Sequence, residues 1–269
     1  DAGEPQTYWV ATRANGVWRS SDAGATWGLK SEGLTDRQTR ALLYAPSSRT
    51  LYAGTGAGLF TSRDGGASWT QSKDARRTEV IALAADPANP RTMYLKARFL
   101  AAYKSTDGGT TWQEQKADFT GQNLNGLFGL AVVPGSPESA FVATHTELWQ
   151  STSNGSSFER CCTALPYTRI QSVVYDAASG ALYVGTEDEG VLKSTDRGVR
   201  WSESRMGLGR ANVQALLIDP AQSRTLYAAT WNRGIYRTDD GGQSWNRIGG
   251  DPPHPDAIAL ALDPANPGY

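Results

Sequence analysis

Short apolar segments, each bounded by glycine, proline, aspartate or asparagine, recur along the whole chain. A first type, such as 80–85 (VIALAA), runs into Asp-Pro. A second type, such as 51–55 (LYAGT), follows it, and a third, such as 234–237 (GIYR), comes next. Runs of four to six residues rich in valine, leucine, isoleucine and tyrosine between turn residues are typical of β-strands. The pattern predicts an all-β chain of many short strands.

The third segment leads into an eight-residue motif, Ser/Thr-x-Asp-x-Gly-x-x-Trp. Its copies are 20–27, 62–69, 105–112, 194–201 and 238–245, and 151–158 is a degraded copy with serine for the aspartate and phenylalanine for the tryptophan. The closing aromatic residues lie 42 to 46 residues apart, and a fourth strand begins at each of them. Four short strands in such a period are typical of one β-propeller blade.

The octet is interpreted as the turn between the third and fourth strands. Glycine supplies a positive φ angle, and the aspartate and the hydroxyl group accept hydrogen bonds from turn N–H groups. Tryptophan packs a large apolar body between adjacent blades. A structural role is therefore predicted for Asp22, Trp27, Asp64, Trp69, Asp107, Trp112, Asp196, Trp201, Asp240 and Trp245.

Six octets predict six blades in a single domain spanning 1–269. The C-terminal segment 257–262 copies a first strand, whereas the N-terminal segment 8–12 matches a second strand. One C-terminal and three N-terminal strands would thus complete the same blade, which removes two exposed sheet edges. Seven blades are the alternative if the natural chain continues past Tyr269, since another blade needs about 40 more residues.

The octet resembles the Asp-box, or bacterial neuraminidase repeat, of sialidases, xyloglucan-degrading hydrolases, sortilin-type receptors and the photosystem II stability/assembly factor family. The uniform small blades look most like the last group and sortilin-like propellers. That resemblance implies a non-enzymatic, exported accessory subunit or assembly factor, in the periplasm or at the cell surface. The resemblance also implies a partner, namely a protein subunit of a membrane complex such as a photosynthetic one, to which the chain binds peripherally.

A carbohydrate-active protein, either a lectin-like binder or a divergent glycoside hydrolase, is the alternative. Sialidases carry an Arg-Ile-Pro element near the start, but here Arg169-Ile170 precedes glutamine and Arg247-Ile248 precedes glycine. No catalytic residue of either enzyme family can be placed on this chain. The resemblance therefore favours a protein without enzymatic activity.

Composition narrows the classes further. A formal net charge of −1 argues against a general nucleic-acid binder. No apolar run approaches the roughly 18 residues of a membrane-spanning helix. Two histidines leave little for a histidine-based metal site, so neither a metal nor a cofactor is expected.

The loops opposite the octets are rich in arginine, whose planar fork of donors suits carboxylates and protein interfaces. Trp231 and Phe99 add aromatic groups to the same loops. The predicted partner-binding residues are Arg13, Arg40, Arg76, Arg77, Arg98, Phe99, Arg169, Arg210, Trp231 and Arg233. The opposing interpretation is a solvated surface in a chain that generally prefers arginine to lysine.

Two further motifs stand out. The acidic run 187–189 could do acid–base work or hold calcium, but a solvated turn is the favoured interpretation because adjacent carboxylates point in different directions along an extended chain. Cys161 and Cys162 are neighbours in the sequence. Two buried or free thiols are the favoured interpretation, because neighbouring cysteines rarely meet normal disulfide geometry. A vicinal disulfide and a metal or redox role are the alternatives.

Overall fold

The computed structural model is all-β: its described residues form 24 strands and no helix. The described residues are 7–22, 24–45, 48–76, 79–86, 89, 91–97, 102–115, 129–133, 139–144, 146–153, 158–162, 165–166, 168–219, 222–249 and 257–263. Within these ranges, no helix has the length and apolarity that crossing a bilayer demands.

The strands of the first half are short and follow one another closely. They are β1 (Thr7–Thr12), β2 (Gly16–Ser20), β3 (Gly28–Leu29), β4 (Thr39–Ala45), β5 (Thr50–Thr55), β6 (Gly58–Ser62), β7 (Thr70–Arg76), β8 (Val80–Ala85), β9 (Met93–Ala97), β10 (Ala102–Ser105) and β11 (Gln113–Gln115).

The second half repeats this arrangement. Its strands are β12 (Gly129–Val133), β13 (Ser139–Ala143), β14 (Leu148–Ser151), β15 (Glu159–Cys161), β16 (Ile170–Asp176), β17 (Ala181–Thr186), β18 (Val191–Ser194), β19 (Ser202–Glu203), β20 (Val213–Asp219), β21 (Gln222–Thr230), β22 (Gly234–Thr238), β23 (Asn246–Ile248) and β24 (Ala257–Asp263).

The strands form six four-stranded antiparallel sheets, which are the blades of a propeller. Blade 1 has the order β24-β1-β2-β3, and blades 2 to 6 each take four consecutive strands, starting from β4, β8, β12, β16 and β20. Strand β24 pairs antiparallel with β1, with Val10 opposite Leu260 and Thr7 opposite Asp263. The predicted six blades and their closure by one C-terminal and three N-terminal strands are confirmed.

Each intact octet is a closed hydrogen-bonded turn. In the first, Ser20 Oγ donates to Asp22 Oδ1 at 2.7 Å and accepts from the Gly24 N–H at 2.8 Å. The Thr26 hydroxyl and N–H donate to the two oxygens of Asp22 at 2.6 and 2.8 Å. These bonds stabilise the ionised carboxylate, and the bond from the Thr26 hydroxyl contributes most to a pKa of about 2 for Asp22. Both oxygens of the carboxylate therefore accept hydrogen bonds that hold the turn.

The octets also join neighbouring blades. The indole Nε1 of Trp69 donates to the carbonyl of Lys30, in the connector that leaves blade 1, at 2.9 Å, and Trp245 donates to Ser204 of blade 5 in the same way at 2.9 Å. From the other side, the Tyr183 hydroxyl reaches the Gly241 carbonyl at 3.0 Å. Because the hydrophobic clusters lie between blades, as with Trp9, Leu51 and Trp69, each blade is stabilised mainly by its neighbours.

Candidate functional site

Two faces of the propeller follow from the antiparallel topology. The octets and the turns between first and second strands lie on one side, which we call the octet face. The loops between second and third strands, and the connectors from each fourth strand to the next blade, lie on the other side, which we call the loop face. Loops from several blades converge there around the central channel, a common place for propeller ligands.

The channel is a cavity of about 570 Å³ along the propeller axis. It is lined by the innermost strands β4, β8, β12, β16, β20 and β24, with small and branched apolar residues such as Ala41, Leu83, Val173 and Leu217. Asp176 and its counterparts on other blades lie at the octet end of the channel. Both oxygens of Asp176 accept bonds within its own turn, from the Ala178 N–H at 3.0 Å and from the Ser179 hydroxyl. This acidic group is therefore already used by the turn.

A β-bulge recurs at the loop-face end of the innermost strands. One residue there has no partner in the register of the second strand, and the same offset occurs on blades 1, 2, 3, 5 and 6. The extra residues are Arg40, Ile81, Gln171, Gln214 and Ile258. All five line the channel, because a bulge re-aims a side chain that the regular pleat would turn elsewhere. Their ring forms the mouth of the channel; the equivalent position of blade 4 lies outside the described residues.

Most described arginines of the loop face are paired with carboxylates. Arg40 Nε lies 2.7 Å from Glu79, and Arg169 Nε lies 3.4 Å from Glu187. Glu189 is shared, 2.6 Å from Arg205 and 3.4 Å from Arg210. The acidic residues are thus fewer than the arginines but are placed to neutralise them. Arg169 and Arg210 still have 61% and 67% of their side chains exposed, so these two pairs are weak and open to competition.

Arg13 and Trp231 are in contact, whereas the sequence predicted a role for each of them separately. The Arg13 guanidinium carbon lies 5.4 Å from the centroid of the Trp231 ring, across the joint between blades 1 and 6. The backbone N–H of Trp231 donates to the Asn212 carbonyl at 2.8 Å, which fixes the position of the loop. The next residue, Asn232, has a positive φ of 60°. Arg233 is exposed beside them. In the part of the chain that is described, no carboxylate pairs with Arg13 or Arg233.

The remaining predicted residues are not all placed. Arg77, Arg98 and Phe99 lie outside the described residues, and for Arg76 the structure describes only the backbone, within β7. The assembled candidate site is therefore the mouth ring together with Arg13, Trp231, Arg233, Arg169 and Arg210. The bulges that build the ring were not predicted, because the octet pattern says nothing about register at the opposite end of a strand.

The side chains of the acidic run 187–189 form ion pairs and a hydrogen bond within the protein. Glu187 and Glu189 pair with arginines, and Asp188 accepts a hydrogen bond from the Thr168 hydroxyl. A glycoside hydrolase needs a protonated acid and a second carboxylate at a fixed separation. Among the described residues, no group of three His, Cys, Asp or Glu side chains could hold a metal ion. Each acidic side chain of this run is therefore engaged by a neighbouring side chain.

The two cysteines are free thiols in this structure. Their Sγ atoms lie 2.7 Å apart, with the Cys162 thiol donating to Cys161. This separation is longer than the S–S bond of about 2.05 Å in a disulfide. The vicinal disulfide stays a prediction.

Comparison with known proteins shows which families and solved structures share this fold. The BNR/Asp-box repeat model matches residues 103–114, the third octet and its flanks. No curated protein sequence shows significant similarity to the chain. Of solved structures, the GH74 xyloglucanase from Xanthomonas campestris has a TM-score of 0.63 at 20% identity, over 92% of this chain and 44% of that one. This chain thus spans less than half the length of that enzyme.

Two further solved structures are protein complexes. YCF48 bound to D1 peptide has a TM-score of 0.57 at 15% identity, with 91% of this chain and 77% of that one covered. A chain of a nidogen/laminin complex has a TM-score of 0.68 at 11% identity, with 96% and 97% covered. Such identities show a shared fold alone, and the same fold carries both enzymes and binding proteins.

Proposed function

Because the chain is a six-bladed propeller built on Asp-box repeats, we propose that it is a non-catalytic module that binds a protein partner through its loop face. The observation that carries the proposal is the contact of Arg13 with Trp231. Tryptophan and arginine are the residues that most often dominate the energy of protein interfaces. An arginine stacked on an indole, with no described carboxylate on it, presents an aromatic surface and a charge together.

The charge pattern supports an acidic partner segment. Arg13 and Arg233 lie on adjacent blades, and the exposed pairs of Arg169 and Arg210 lie further around the same mouth. A partner carboxylate can displace a weak surface ion pair at little cost, because such pairs contribute at most about 1 kcal/mol. YCF48 bound to D1 peptide shows that this fold can hold a peptide. We extend the proposal to an exported accessory subunit or assembly factor, peripheral to a membrane complex, on the sequence resemblance alone.

Carbohydrate binding or hydrolysis is the second candidate, favoured by the shared fold of the GH74 xyloglucanase. Against it, Glu79, Glu187 and Glu189 pair with arginines, and Asp188 accepts a hydrogen bond from the Thr168 hydroxyl. Trp231 could stack on a sugar as well as on a peptide, so the two candidates need separate probes.

The test uses the purified chain with labelled D1 peptide, with xyloglucan oligosaccharide, and with detergent-solubilised membranes of the source organism as three alternative ligands. We expect saturable binding of a peptide or a stoichiometric membrane protein, and none of the oligosaccharide. Trp231→Ala should weaken that binding by about 30-fold, corresponding to about 2 kcal/mol at a central contact. Arg13→Glu combined with Arg233→Glu should slow association and reduce its dependence on salt.

Arg200→Glu is the matched control, since Arg200 is exposed on the octet face and the substitution keeps the backbone N–H that donates to Asp196. Binding that the control weakens as much as the loop-face variants would place the partner elsewhere. Saturable binding of the oligosaccharide, lost in Trp231→Ala, would replace the proposal with the carbohydrate alternative.

A further inference from the structure

The cysteine pair occupies the joint between blades 4 and 5. Strand β15 ends at Cys161, which lies opposite Leu148, and the Cys161 thiol points at the Leu148 carbonyl at 3.3 Å. Cys162 follows with a positive φ of 65°. In a regular strand, consecutive side chains point to opposite faces. Because Cys162 leaves the strand in the left-handed region, its sulfur instead comes within 2.7 Å of the Cys161 sulfur.

The Cys162 sulfur is also seated against the next blade. It lies so close to the Gly198 backbone that a Cβ on Gly198 would be 2.2 Å from it. At the joint between blades 5 and 6, the Ser204 hydroxyl takes the corresponding position over Gly242, at 2.3 Å from such a Cβ, and donates to the Gly242 carbonyl at 2.5 Å. A sulfur therefore replaces a hydrogen-bonding hydroxyl at this joint, where its distance to the Arg197 carbonyl is 3.8 Å.

We propose that Cys161 and Cys162 form an oxidisable dithiol, which closes to a vicinal disulfide by exchange with a disulfide-class oxidant. Both cysteines pack at the edge of the cluster between blades 4 and 5 and are only partly buried, so each keeps some exposure through which a small disulfide can reach it. The distance to be closed is small, from 2.7 Å to a bond of about 2.05 Å. The cysteine pair shares no residue with the candidate site.

The exchange proceeds in two steps. The Cys161 thiolate attacks one sulfur of the oxidant, forms a mixed disulfide and releases one oxidant thiolate. Cys162 then loses its proton to solvent, attacks the Cys161 sulfur and displaces the second thiolate, which takes up a proton. Two protein thiols lose two electrons and two protons, and one oxidant disulfide becomes two thiols.

The two thiols are not equivalent in the contact between them. The Cys162 thiol donates to Cys161, which lowers the pKa of Cys161, whereas the same interaction and burial raise the pKa of Cys162. In the proposed exchange Cys161 attacks and Cys162 resolves the mixed disulfide, an order that the two serine variants test separately. The Cα atoms of neighbouring residues across a trans peptide bond are about 3.80 Å apart, which is closer than in an ordinary disulfide. Because a disulfide with unfavourable geometry is easier to reduce, we expect mild thiols to reduce this bond again.

The test uses the whole chain, purified reduced and then treated with an excess of oxidised glutathione. Because the chain has only two cysteines, thiol counts are unambiguous. We expect both thiols to disappear, the intact mass to fall by two hydrogens, and no glutathione to remain attached. Cys162→Ser should instead stop at a stable glutathione adduct on Cys161, and Cys161→Ser should react more slowly.

Three outcomes would overturn the proposal: unreacted thiols, a persistent glutathione adduct on the unmutated chain, or disulfide-linked dimers. Wild-type chain alkylated before oxidation serves as a control that needs no substitution, so a variant that fails to fold leaves the test intact. Hydrogen exchange at 197–201 gives a second readout. It should change on oxidation of the wild type and stay constant in the alkylated chain, because the Cys162 sulfur contacts that octet.

Discussion

At the scale of single residues, two glycines in one connector allow the cost of backbone strain to be compared with the cost of steric contact. Gly207 and Gly209 both have positive φ angles, of 84° and 66°. A Cβ on Gly207 would lie 2.2 Å from the Trp245 carbonyl oxygen, whereas one on Gly209 would have nothing within 4 Å. Met206, next to Gly207, accepts the Trp245 N–H at 2.8 Å through its carbonyl. The close approach at Gly207 is thus part of how blade 6 is held to blade 5.

We expect Gly207→Ala to destabilise the protein clearly more than Gly209→Ala. Both substitutions place an L side chain in the left-handed region, at a cost of about 1 to 2 kcal/mol. Only Gly207→Ala also forces the connector away from Trp245, which adds about 1 to 3 kcal/mol by analogy with overpacking in cores. Urea denaturation followed by tryptophan fluorescence measures both, and equal losses of unfolding free energy would contradict the close approach.

At the scale of single strands, the recurring bulge connects the fold to the candidate site. Gln171 is the extra residue of β16, between Ile170, opposite Thr186, and Ser172, opposite Gly185. Ile170 is 1% exposed and packs in the core between blades 4 and 5. The bulge therefore places Gln171 in the channel mouth and leaves Ile170 in the core between the blades.

Deletion of Gln171 should be far more damaging than Gln171→Ala. Removing one residue shifts the side chains before it to the opposite face, because the side-chain period of a strand is two. Ile170 would then leave its core position, at a cost of about 2 kcal/mol or more. Gln171→Ala keeps the register and should change stability by about 0.5 kcal/mol or less. Similar urea midpoints for the two variants would show that the bulge does not fix the register.

The sequence predicted the strands, the octet turns, the six blades and the ring closure, because each rests on local patterns repeated at a fixed spacing. It did not predict the pairing of Arg13 with Trp231, which are more than two hundred residues apart and meet only where the ring closes. It also predicted partner binding by Arg40 without the ion pair that this side chain forms with Glu79. Pairings of this kind depend on loop geometry, which no repeat specifies.

At the scale of the whole molecule, one strand from the far end of the chain completes the ring. Strand β24 lies between β1, its partner in blade 1, and the channel, and it packs between the innermost strands of blades 2 and 6. Tyr8, Val10, Leu260 and Leu262 share one buried cluster with residues of blade 6. Each blade depends on its neighbours, so the ring gains stability only when this last pairing forms.

In a chain that stops after residue 256, we therefore expect the loss of structure to extend beyond blade 1. Without β24, the Val10 edge of β1 becomes an unpaired strand next to an exposed apolar cluster, a combination that promotes aggregation. A chain that stops after Asp263 keeps β24 and is the matched control. We expect the control to be monomeric and cooperative in urea, and the shorter chain to aggregate or to unfold at a much lower concentration of urea. If size-exclusion chromatography and proteolysis find the shorter chain as compact as the control, ring closure contributes little to stability, and the joint between blades 1 and 6 that carries Arg13 and Trp231 is held by other contacts.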